Sequence, residues 1–143
     1  MECEFPTINA NLDEIKEIFK EVKTIAVIGL SPNPSKDSHK VAAYLQKVGY
    51  KIIPVYPKEE TILGEKVYRK LSDIPEKIDM IDIFRKPAAV LPIVEEAIKR
   101  KDVKVIWMQA GIVNNEAAQK AKDAGLKVVQ NRCTMVDHRN LFS

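Results

Sequence analysis

The stretch TIAVIGLSPNPSKDSHKVAAYLQKV (residues 24–48) decides the fold. Ile25, Ala26, Val27 and Ile28 form a continuous apolar run ending at Gly29, as in a strand buried on both faces of a parallel sheet. A polar loop follows, carrying two prolines, Lys36 and the hydroxyls of Ser31, Ser35 and Ser38. Val41, Ala42, Leu45 and Val48 then recur at helical spacing, and Gly49 stands where such a helix closes. Strand, polar loop and helix in that order make the anion-holding corner of a nucleotide-binding βαβ unit. The first N–H groups of the helix are unpaired and partly positive, so a phosphate is stabilised there without special chemistry.

The flanking segments extend the same pattern. Upstream, Leu12, Ile15, Ile18, Phe19 and Val22 share one helical face, with Asn11 and Glu14 in capping-box positions. An amphipathic helix over residues 11–22 is therefore predicted to cover the sheet, and an uncovered part of it offers a surface to a second copy. Downstream, strands are predicted over 51–55, 80–84, 104–108 and 126–129. Pro54 removes a ladder donor and belongs near a sheet edge. Helices are predicted near 71–74, over 89–100 with Pro92 in the first turn, and from a cap at Asn115 to Gly125. This alternation predicts one α/β domain over residues 1–143: a doubly wound, Rossmann-like fold with a five-stranded parallel sheet and helices on both faces.

Composition narrows the function. A net charge of +3 over 143 residues, with lysines interspersed among glutamates, argues against a nucleic-acid binder and suits a small polyanion. No apolar run has the length of a membrane span, and the acidic start MECEFPTINANLDE does not read as a signal peptide. Cys3 and Cys133 supply neither a disulfide framework nor metal-ligand spacing. A cytoplasmic protein without a metal centre is expected.

In a doubly wound sheet, ligands bind outside the carboxyl ends of the strands. Five separate stretches meet there: 29–38, 56–58, 84–86, 107–111 and 132–133. They bring cations (Lys36, Lys58, Arg85, Lys86, Arg132) and flat side chains (Tyr56, Phe84, Trp107) beside the serine hydroxyls, a mixture suited to a nucleotide. Only Gly29 stands where a dinucleotide fingerprint needs three glycines, and no acidic residue closes the second strand, which disfavours NAD. The Gly-Lys-Ser/Thr of a P-loop is missing as well. A basic residue after the second strand instead suits an anionic ribose substituent, such as the 3′-phosphate of coenzyme A.

IAVIGLSPNPSKDSHKVAAYL, GYKIIPVYP, ILGEKVYRKLSDIPEKIDMIDIFRKP, VIWMQAGI and AGLKVVQNRCTMVDHRNL together cover roughly residues 22–141. On these segments the chain resembles the small stand-alone CoA-binding domains, a Rossmann-like group related to the CoA-binding domain of succinyl-CoA synthetase α subunits. The resemblance implies CoA lying along the strand ends. Ser31 and the 35–38 loop, with Lys36, would hold phosphates, and Lys58 matches a phosphate-binding lysine. Phe84, Arg85 and Lys86 would line the adenosine and pantetheine path, with Trp107 and Gln109 beside it. The family often has Asn where this chain has Tyr56.

The resemblance carries no catalytic group with it, because the synthetases' phosphohistidine comes from a second domain. His39 and His138 are the only histidines, one in the helix after the phosphate loop and one in the C-terminal tail. Asp82, within the third strand, reads as a satisfied structural acid. Cys133 is the one reactive candidate, since the neighbouring Arg132 would favour its thiolate. Two main functions therefore stand open on sequence: a reversible CoA or acyl-CoA binder acting as carrier, sensor or regulator, and a thiol–disulfide or acyl-transfer enzyme using Cys133. An NAD(P)-binding protein is a third. A homodimer or a separate protein partner is compatible with each.

Overall fold

The computed structural model describes residues 5–142; Cys3 lies outside them. Helix α1 (Leu12–Glu21) begins with the expected capping box: the Asn11 side chain accepts from the Glu14 N–H (2.8 Å), and Glu14 accepts from the Asn11 N–H (3.1 Å). Strand β1 (Thr24–Ile28), helix α2 (Asp37–Lys47) and strand β2 (Lys51–Val55) complete the first βαβ unit. A two-residue hairpin, β3 (Thr61–Ile62) and β4 (Glu65–Lys66), and a 3₁₀ turn at Leu71–Asp73 lead to β5 (Met80–Ile83). Helix α3 (Val90–Arg100), β6 (Val105–Met108), α4 (Asn115–Asp123), β7 (Lys127–Val129) and α5 (Thr134–Phe142) follow.

The main sheet is parallel throughout, with spatial order β2-β1-β5-β6-β7. β2 is therefore an edge, which is why Pro54 is tolerated in it. That edge is itself covered: the Tyr68 N–H donates to the Pro54 carbonyl and the Tyr56 N–H to the Tyr68 carbonyl, both at 3.0 Å. Side chains alternate along each strand between two cores. Ile25, Val27 and Trp107 pack under α1, α2 and α5, and Ala26, Ile28 and Ile106 pack under α3 and α4. Burial on both faces explains why these strands read as unbroken apolar runs.

Two local expectations are corrected. The cap of α4 is Asn114, whose side chain accepts from the Ala117 N–H, while Asn115 ties down the N-terminal segment through Thr7 and Phe5. The segment read as a C-terminal tail is helix α5, held on by polar anchors more than by an apolar stripe. Thr134 and Asp137 are among its buried residues, and His138 sits among Phe19, Tyr44, Tyr50 and Phe142. Burial holds the His138 imidazole below its usual pKa, and its Nδ1 is 2.8 Å from the Tyr44 hydroxyl. α5 thereby covers part of the α1 surface that the sequence offered to a second copy.

Candidate functional site

The helix after β1 packs on one face of the sheet and the helix after β5 on the other, so the two exit loops part company. The crevice this leaves at the strand ends is where doubly wound proteins bind ligands. It is a cleft of about 450 Å3, lined by Gly29, Tyr56, Arg69, Phe84 and Arg85. The Gly29 N–H donates to the Val55 carbonyl and the Phe84 N–H to the Ile28 carbonyl, each at 2.9 Å, stitching the three strand ends together. Gly29 has a φ of +86°, and a Cβ there would lie 2.5 Å from the Phe84 carbonyl oxygen. Only glycine meets both conditions.

The loop from Gly29 to α2 is shaped by its own hydroxyls. Ser38 Oγ accepts from the Ser31 N–H (3.0 Å), Ser31 Oγ accepts from the Asn33 N–H (3.1 Å), and Ser35 donates both its N–H and its hydroxyl to Asn33 Oδ1. The His39 ring bonds the Ser31 carbonyl through Nδ1 at 2.8 Å. Among the described residues the Ser31 and Ser38 hydroxyls act only as acceptors, which leaves their protons for a further acceptor. Lys36 occupies the N-cap of α2 and gives no side-chain cap, while its carbonyl accepts from the His39 and Lys40 N–H groups; the Asp37 and Ser38 N–H groups are thus left without a cap from it.

A second cleft, about 290 Å3, lies on the other side of Phe84, bordered by Lys40, Asp37, Gln109, Cys133 and Met135. Gln109 in its lining is held by buried polar partners. Gln109 Nε2 donates to Asp82 Oδ1 (2.7 Å) and Thr134 Oγ1 (2.8 Å), and the Thr134 hydroxyl donates to Asp82 Oδ2 (3.2 Å). Asp82 is fully buried, and no cation of the described residues pairs with it. Burial pushes its carboxyl up to about 7, with the Gln109 and Thr134 hydrogen bonds pulling the other way.

The residues singled out in the sequence divide as follows. Gly29, Tyr56, Phe84 and Arg85 meet at the first cleft, and Phe84, Gln109 and Cys133 at the second. Ser31, Ser35, Lys36 and Ser38 form the loop and helix start that the strand end leads into. Lys58 and Lys86 are exposed in the loops after β2 and β5. The ion pairs among the described residues engage none of Lys36, Lys40, Lys58, Arg85 or Lys86. Trp107 is a correction: it is fully buried, packs on Phe19 and donates from Nε1 to the Arg132 carbonyl (2.7 Å), so its ring stacks on no ligand at the rim. Arg132 is another. Asp137 grips its guanidinium at 2.6 and 2.9 Å, so that charge is already neutralised rather than turned to Cys133. Sequence reading missed Arg69 and Lys40. Lys40 follows Lys36 by one helical turn, a signal that was available; Arg69 lies between elements and left none.

A family model described as a CoA binding domain matches residues 23–139. The Bacillus subtilis protein YneT, itself uncharacterised, is 42% identical over 130 residues, covering 91% of this chain and 96% of that one. A solved structure of a hypothetical protein from Pyrococcus horikoshii OT3 superposes with a TM-score of 0.91 at 43% identity, over 100% of both chains. The ADP-forming 4-hydroxybutyrate–CoA ligase of Nitrosopumilus maritimus is 31% identical over 122 residues, which is 78% of this chain but 17% of the ligase. The similarity to that enzyme thus concerns a minor part of its length.

Proposed function

Since this chain belongs to the CoA-binding domain family, we propose that it binds CoA or acyl-CoA reversibly across the carboxyl ends of its strands, as a cytoplasmic carrier, sensor or regulator. The observation that carries this reading is the switch-point crevice. A cleft lined by Gly29, Arg69 and Arg85 shares Phe84 with a second cleft, which is bordered by Lys40 and by the start of α2, a helix without a side-chain cap; these cations lie outside any ion pair of the described residues. These are the donors a pyrophosphate and a phosphorylated ribose require. Tyr56 and Arg85 would take the nucleotide end, Ser31, Ser38 and Lys36 the phosphates, and Lys58 and Lys86 would add charge. The second cleft, lined by Phe84 and Gln109, suits the narrower pantetheine arm and brings its thiol end towards Cys133.

Among the described residues no helix is long and apolar enough to cross a membrane. Calorimetric titration of the ligand-free protein with CoA and with NAD tests the reading. CoA is expected to bind and NAD to release no heat; NAD binding without CoA would overturn it. Cys133→Ser separates the binder from a thiol enzyme. Under the binder reading, its CoA affinity stays within about twofold of wild type, because a half-buried thiol exchanged for a hydroxyl removes no charged contact. A turnover that Cys133→Ser abolishes would instead establish the enzyme.

A further inference from the structure

Arg69 follows Tyr68, the residue that covers the β2 edge, and its guanidinium reaches back over the end of that strand. Nη1 donates to the carbonyl oxygens of Tyr56 (3.1 Å), Lys58 (2.9 Å) and Glu59 (2.9 Å). Those carbonyls belong to the turn that leaves β2, in which Glu59 adopts a φ of 71°. A guanidinium carries five N–H donors in one plane. With Nη1 engaged, the Nε–H and Nη2–H edge of Arg69 makes no hydrogen bond or ion pair with the described residues, although the residue lines the cleft beside Gly29 and Arg85.

The same protein shows what that edge takes. Arg100 also turns Nη1 to backbone carbonyls, those of Leu71 (2.7 Å) and Ile74 (2.9 Å). Its Nε and Nη2 then grip the two oxygens of Asp102 at 3.1 and 2.9 Å. Arg132 holds Asp137 by the same edge. Arg69 repeats the Arg100 arrangement at Nη1, but the described residues supply no oxyanion to it. In doubly wound folds the end of the second strand faces the ribose hydroxyls, and an arginine there accommodates a ribose phosphate.

We propose that Arg69, anchored by three backbone carbonyls of the β2 exit turn, is the specificity residue that grips a phosphomonoester on the ligand's ribose through its Nε–Nη2 edge. This rests on the CoA reading above and assigns the 3′-phosphate of CoA to Arg69 ahead of Lys58 or Arg85. Because the fork is already held, little side-chain freedom is lost when the phosphate arrives.

The test is titration of wild type, Arg69→Gln and Arg69→Lys with CoA and with dephospho-CoA. Wild type is expected to prefer CoA by about 10- to 100-fold, the range for a bidentate charged contact. Both variants are expected to fall to a preference within about threefold, lysine included, since it keeps the charge and loses the fork. Dephospho-CoA affinity should barely change. An equal loss for both ligands would make Arg69 merely a turn clamp and overturn the proposal, as would a variant that still discriminates. Competition on wild type alone gives a reading that needs no variant: adenosine 3′,5′-bisphosphate should displace CoA better than AMP, which lacks only the 3′-phosphate, and equal displacement would overturn the proposal. Wild type binding CoA and dephospho-CoA equally refutes the Arg69 assignment and leaves CoA binding intact. Wild type binding neither refutes the CoA reading itself, and the assignment with it.

Discussion

Replacing Gly29 by alanine is expected to lower stability by about 4 kcal/mol and to abolish CoA binding. Two separate costs combine. An L-residue held at a φ of +86° is strained by about 1–3 kcal/mol. Its Cβ also meets a backbone carbonyl, Phe84 O, at 2.5 Å, where no flexible side chain can move aside. Relief requires β1 and β5 to part at their carboxyl ends, breaking the bond from the Phe84 N–H to the Ile28 carbonyl. That shift adds about 1–3 kcal/mol and deforms the lining of the cleft. For a domain of this size the melting temperature should drop by about 12 °C. A Gly29→Ala protein that melts within about 3 °C of wild type and still binds CoA would refute the close approach.

The second large effect is a pH dependence centred on Asp82. Its folded-state pKa of about 7 lies above the ordinary 3.8, so the folded protein holds a proton that the unfolded chain has released across that interval. Stability from this group is therefore fully present below pH 4 and is lost as pH rises towards 7, by about 1.4 kcal/mol per unit and about 4 kcal/mol in all. Asp82→Asn keeps the shape, accepts from Gln109 and donates towards Thr134, and has no proton to lose. Denaturant unfolding at pH 4, 5, 6 and 7 should show the variant close to wild type at pH 4 and progressively more stable than it as pH rises to 7. Parallel curves for the two proteins would mean that Asp82 is charged throughout and that its two hydrogen bonds suffice to hold the charge.

Much of this architecture was legible because burial on both faces leaves an unmistakable mark. Each of Ile25–Ile28, Met80–Ile83 and Val105–Met108 is a run that only a central parallel strand explains, and Asp82, the exception, was readable as a satisfied acid. Pro54 pointed correctly to an edge. The same burial misled about Trp107: an aromatic near a strand end reads as a rim residue, but its place in the row Val27–Asp82–Trp107–Val129 turns it into the core under α5. Helix α5 was hidden because its buried positions include Thr134 and Asp137, whose partners Asp82 and Arg132 cannot be inferred from hydrophobic spacing. Arg69 was hidden for a related reason. Its acceptors are backbone carbonyls, and a carbonyl is present at every position, so nothing in the residue order distinguishes those three.

Trp107 is the chain's single tryptophan, and its indole N–H is bonded to the carbonyl of Arg132, immediately before Cys133 and the start of α5. The protein therefore contains an unlabelled optical gauge wired to one wall of the second cleft. While that bond holds, the indole is buried and short-wavelength emission is expected; displacement of the 132–133 segment would admit water and shift the emission to longer wavelength. A ligand that only settles on a rigid floor leaves the spectrum in place, whereas one that lifts α5 reports its own arrival.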